Sequence, residues 1–254
     1  MKIAICLSGY MRSYRVNYES LKENLIKDHD CDIFIATSSV KGNVFYKHKK
    51  YYLDKMREEG IKYVEEAITE QNLQKIYGDK LKACIIKPYN ENDHLIEFPP
   101  KTHKKMISGL REAMRITHMW YFIKEADKLR EEYSDKNGIK YDLVIRLRPD
   151  LLFIDEIDMK VKDISMPICY LKEYNMLVNG CNDHFAYGPP EKMTIYSNLY
   201  DNLGKYAEEV DITNRQKLLK HHLDKNKTKY DTIKCDYNLL KMPHEYSAKY
   251  NSSD

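Results

Sequence analysis

The chain opens on Lys2-Ile3-Ala4-Ile5-Cys6-Leu7-Ser8, a continuous apolar run closed by Gly9. A strand apolar on every residue is covered on both faces, and such strands belong to sheets that carry helices on either side. A helix-like stretch over 18–27, with Leu21 and Leu25 four apart, then leads to a second apolar run over 32–37. Two strands joined by one short helical connection take a right-handed parallel crossover. The expected class is therefore α/β, a doubly wound and mostly parallel central sheet flanked by helices.

Further strands are expected at 82–87, 143–145 and 168–171. A long helix is expected over 101–133, where Met106, Leu110, Met114, Thr117 and Tyr121 recur at spacings of three and four. Asn137-Gly138 closes it as a left-handed cap would. Helices are also expected over 190–206 and Arg215–Lys225, with a helical flavour near 64–77. Residues 88–100 and 175–188 read as loops, the second ending in an aromatic strand-like piece. With no internal repeat or linker, one domain over 1–243 and a polar tail over 244–254 complete the organisation.

Composition excludes several classes. With 43% hydrophobic and 32% charged residues and only 9 Gly and 8 Pro, the 254-residue chain is neither fibrous nor mostly disordered. No run approaches the roughly 18 apolar residues of a membrane helix, and the opening run is too short for a secretory signal. A net charge of +3 is too mild to mark a nucleic-acid binder. The six cysteines form no CxxC pair and read as reduced thiols of a cytoplasmic protein. Of the 42 basic residues 33 are Lys and only 9 are Arg, yet three of those nine fall inside two short motifs.

The first of these motifs is Tyr141-Asp142-Leu143-Val144-Ile145-Arg146-Leu147-Arg148-Pro149-Asp150. Strand alternation sends Arg146, Arg148 and Asp150 to one side at the carboxyl end of an apolar strand, where open α/β sheets bind ligands. Two guanidiniums suit a diphosphate, and a carboxylate among them suits a divalent metal bridging the same phosphates. The spacing equally allows an Arg148–Asp150 ion pair that pins the strand end. The second is Leu7-Ser8-Gly9-Tyr10-Met11-Arg12, in which Gly9 lets a ligand approach the backbone and Arg12 follows one short turn later. A plain turn glycine fits it as well, since neither a dinucleotide fingerprint nor a P-loop is present. A third constellation, Asn182-Asp183-His184-Phe185-Ala186-Tyr187-Gly188-Pro189-Pro190, sets a carboxylate and an imidazole ahead of a Pro-started helix. Asp183 suits a general base or an acceptor for sugar hydroxyls, and His184 a second ligand or proton carrier, against ordinary loop and packing roles.

MKIAICLSGYMR, CDIFIATSS, YDLVIRLRPDLLF and NDHFAYGPPEKM, with QKLLKHHLDKNKTKYDTIKCDYNLLK near the end, resemble a group of GT-A-type glycosyltransferases. That group occurs in surface-glycan clusters of bacteria and in large DNA viruses of algae and amoebae. The resemblance implies a GT-A-like domain that moves a sugar from a UDP- or GDP-linked donor to a glycan or glycoprotein hydroxyl. A cytoplasmic location is expected, the host's cytoplasm for a viral chain. Leu7, Ser8, Gly9, Arg12, Thr37, Arg146 and His184 would contact the nucleotide sugar. The Arg-Pro-Asp segment would stand where such enzymes keep an Asp-x-Asp motif for Mn²⁺ or Mg²⁺. Arg148 occupies the first Asp position, which leaves Asp150 to hold the metal or Arg148 to neutralise the diphosphate. Asp183 would be the catalytic base. The alternative is a non-catalytic nucleotide- or glycan-binding protein on the same fold.

Overall fold

Strand β1 (Lys2–Ser8) lies at the centre of the sheet, between β2 (Asp30–Ser38) and β4 (Leu143–Leu147), and is parallel to both. The computed structural model describes residues 1–27, 29–40, 67–88, 110–154, 156, 157, 159, 162–167 and 180–239. With β3 (Leu81–Lys87), β6 (Ile164–Pro167), β7 (Phe185–Gly188) and β8 (Tyr230–Ile233), the seven-stranded order is β3-β2-β1-β4-β7-β6-β8. All neighbouring pairs are parallel except the two made by β7. A separate antiparallel pair joins β5 (Leu151–Phe153) to β9 (Tyr237–Leu239).

Both faces are buried, which is why the strands are apolar at successive residues rather than alternate ones. Ile3, Ile5 and Leu7 of β1 join Leu143, Ile145 and Leu147 of β4 on one face. Ala4 and Cys6 join Val144 on the other. The first face is covered by α1 (Tyr14–Leu21), by the π-helical turn Lys22–Ile26 and by α2 (Glu70–Tyr77), with Tyr18 and Tyr77 packed edge-on at 4.7 Å. The second is covered by α3 (Leu110–Asn137), α4 (Pro190–Ser197), α5 (Leu199–Tyr206) and α6 (Arg215–Lys225). Trp120 of α3 is fully buried there against Tyr196 of α4.

Three boundaries differ from the sequence reading. The first helix begins at Tyr14 rather than residue 18, because its buried stripe is Tyr14, Tyr18, Leu21 and Leu25, and leucines alone reveal only its second half. The 190–206 helix is two helices with a break at Asn198, whose ψ of 4° leaves helical geometry. A strand occupies Ile164–Pro167 rather than 168–171, which lies outside the described residues. The long helix runs on to Asn137 and ends at Gly138 with φ +63°, as the cap predicts. The expectations for 41–66, 89–109 and the tail after Pro243 also lie outside the described residues. Among those residues no helix is long and apolar enough to cross a membrane.

Candidate functional site

From β1 the chain winds outward through β2 to β3 and then returns to place β4 on the opposite side of β1. Connections therefore leave the carboxyl ends of β1 and β4 in opposite directions, and such a switch point is where open α/β sheets bind their ligands. Ser8 to Arg12 exits from one strand there and Arg148 to Asp150 from the other.

The first exit is shaped by two left-handed residues. Gly9 has φ +109° and is pinned by N–H donation to the Ala36 carbonyl (3.1 Å) and acceptance from Thr37 Oγ1 (2.8 Å). Arg12 has φ +37°, which costs a side-chain-bearing residue about 1–2 kcal/mol. At the second exit, Asn17 of α1 donates to the Pro149 carbonyl at 2.9 Å and the Arg148 N–H donates to the His184 carbonyl at 3.2 Å.

These anchors bring Arg12, Arg148 and Asp150 together. Arg148 grips the Asp150 carboxylate as a fork, Nε to Oδ1 at 2.8 Å and Nη2 to Oδ2 at 2.7 Å, and Arg12 Nη1 donates to Oδ2 as well. The strand-end ion pair that the spacing allowed is thus present, joined by a second guanidinium from β1. Burial, with Asp150 only 1% exposed, would raise its pKa; Arg148 and then Arg12 overcome it and hold the carboxyl well below the usual range. The trio keeps one net positive charge.

Asp183 lies in the turn before β7 and is 0% exposed. Neither of its carboxylate oxygens has a hydrogen-bond partner among the described residues, although Arg215 Nε stands 3.5 Å from Oδ1. Burial pushes its pKa up, but Arg215, His184, Arg146 and Arg148 outweigh burial and the net direction is down. His184 is driven to about 4 by burial and is neutral at pH 7; its Nδ1 lies 3.1 Å from the Tyr237 hydroxyl.

Arg146, in β4, lies within electrostatic reach of Asp183, Arg148 and Asp150. Its guanidinium points into the core, donates Nη1 to the Asp183 carbonyl, and lines a small cavity with Cys6, Asp127, Tyr196 and Ser197. Leu7 is a core side chain, Thr37 is consumed by Gly9, and Ser8 is buried with its hydroxyl unpartnered.

Reasoning from sequence missed Arg215, the first residue of α6, and Tyr237 of β9. It also missed Tyr10, whose ring lies 5.6 Å from the Arg12 guanidinium carbon, and Arg115 on α3, within electrostatic reach of Arg12. No local pattern distinguishes them from surface residues. The available signal was the scarcity of arginine: of 9 in the chain, Arg12, Arg146, Arg148 and Arg215 gather around Asp150 and Asp183.

The donor set does not fit Mn²⁺ or Mg²⁺. Both oxygens of Asp150 already accept guanidinium N–H groups, and Asp183 faces further guanidiniums. A dication would have to displace cations that hold their carboxylate firmly. The set suits an anion with hydroxyl groups. Seven buried polar atoms on Ser8, Arg12, Arg146, Asp183 and His184 have no hydrogen-bond partner among the described residues. Each such atom costs about 1–3 kcal/mol, a cost that a ligand offering donors and acceptors would remove.

A scan against protein-family models matches none, and a search of curated proteins returns no similar sequence.

Proposed function

We propose that the protein is a nucleotide-sugar-dependent glycosyltransferase whose donor diphosphate docks between the Ser8–Arg12 turn and the Arg148–Asp150 turn. The observation that carries this reading is the cationic cluster at the β1/β4 switch point, surrounded by buried polar atoms with no partner. A seven-stranded, mostly parallel sheet flanked by helices is compatible with a GT-A-like layout, which the segment resemblance implies.

In the reaction the bond between the sugar's anomeric carbon and the diphosphate oxygen breaks, the acceptor hydroxyl oxygen bonds to that carbon, and the hydroxyl's proton passes through solvent to the departing diphosphate. Charge grows on the departing diphosphate. Arg12 and Arg148 stabilise it as fixed donors, so no metal is needed for this step. Gly9, with no side chain, lets the diphosphate approach the backbone. Asp183, ionised and weakly basic, accepts hydrogen bonds from sugar hydroxyls better than it removes a proton.

Turnover of a panel of UDP- and GDP-sugars tests this. Wild-type protein is expected to release nucleoside diphosphate from at least one donor. Arg12→Ala and Arg148→Ala each should slow that release on the order of 10² to 10³. The depressed basicity of Asp183 favours one rival, a non-catalytic nucleotide- or glycan-binding protein. Tight nucleotide binding with no turnover of any donor would establish the rival instead.

A further inference from the structure

Asp150 holds its two guanidiniums unequally. Arg148 makes a bidentate fork at 2.8 and 2.7 Å, the strongest geometry for this pair. Arg12 reaches the same carboxylate with the single donor Nη1, on an oxygen that Arg148 Nη2 already occupies. The Arg12 Nε is buried with no partner among the described residues, its backbone sits at φ +37°, and its side chain is 21% exposed. Of the two cations, Arg12 is the one that leaves Asp150 at lower cost. A phosphate oxygen offers it the same charge and acceptor geometry as the carboxylate does.

Resting on the diphosphate reading of this site, we propose that Asp150 is an internal counter-ion and not a metal ligand. It parks Arg12 in the free protein and yields it to a phosphate oxygen of the ligand, while Arg148 stays gripped. The carboxylate thereby competes with the ligand. Removing its charge tightens anion binding, whereas removing a metal ligand weakens it.

Calorimetric titration of the full chain with inorganic pyrophosphate, in chelator and at low salt, tests the proposal. Asp150→Asn is expected to bind about tenfold tighter than wild type. Arg12→Ala should weaken wild-type binding by no more than about threefold but Asp150→Asn binding by about tenfold, because only in that background is Arg12 free beforehand. If Asp150→Asn does not fold, the wild-type comparison with Arg12→Ala remains, joined by titration of the wild type with Mn²⁺ alone, followed by electron paramagnetic resonance. A small Arg12 effect and no bound Mn²⁺ support the counter-ion role. Weaker or unchanged binding in Asp150→Asn, a large Arg12 loss in the wild type, or a bound Mn²⁺ that Asp150→Asn releases would overturn it while leaving the diphosphate reading intact. No pyrophosphate binding to the wild type or to Asp150→Asn would overturn both.

Discussion

Asp150 and His184 make the protein acid-sensitive in two separable steps. His184 has its pKa lowered from 6.5 to about 4 by burial, so the unfolded chain binds a proton that the folded chain refuses. Its stabilising contribution is complete above about 6.5 and is lost as pH falls from there towards 4. Asp150 also titrates below its ordinary value, held down by Arg148 and Arg12 against burial. Its contribution is complete above the ordinary aspartate value of about 4 and disappears as pH falls further. The melting temperature should therefore drop first below about pH 6.5 and more steeply below about pH 4, and Asp150→Asn should shrink the second limb to the part that Asp183 contributes, leaving the first unchanged. Equal acid limbs in the two proteins would contradict the ion-pair geometry. At this scale the sequence was informative about which residues matter but not about whom they meet. Arg148 and Asp150 are two residues apart, so their pairing was one of two legible outcomes. The arrival of Arg12 from β1 and of Arg215 from α6 depends on chain paths that no local spacing encodes.

Elements were legible where burial is two-sided and the apolar run is unbroken. β1, β3 and α6 stand at or within one residue of their expected bounds, and Gly138 ends α3 where the cap predicts. The errors share a cause: buried tyrosines and short breaks. Tyr14 and Tyr18 serve as core residues, yet their hydroxyls make them look polar in sequence. The break between α4 and α5 at Asn198 has no Gly or Pro to announce it. The Gly138 cap gives an element-level prediction. Added methyl volume meets nothing within 4 Å, so Gly138→Ala isolates the backbone cost of φ +63°. Chemical denaturation should show a loss of about 1 kcal/mol, with ligand binding unchanged. No loss would mean that α3 ends by another conformation.

At the scale of the whole molecule, the winding order creates the site. Because β4 lies beside β1 on the side away from β2 and β3, two turns far apart in sequence meet at one sheet edge, and their charges must be solved together. The α/β class and the parallel opening were readable from the apolar runs, but the antiparallel insertion of β7 between β4 and β6 was not. That insertion is what delivers Asp183 and His184 to the same edge. The central claim, that this strand-end cluster binds a diphosphate through Arg12 and Arg148, is tested most directly by thermal unfolding with UDP, GDP and the matching nucleosides. A ligand at 100 times its dissociation constant stabilises the native state by about 2.7 kcal/mol, several degrees for a chain of this size. The account predicts such a rise with at least one diphosphate, none with its nucleoside, and none in the Arg12→Ala/Arg148→Ala double variant. Melting curves that no diphosphate shifts, or a rise that the double variant retains in full, would contradict it.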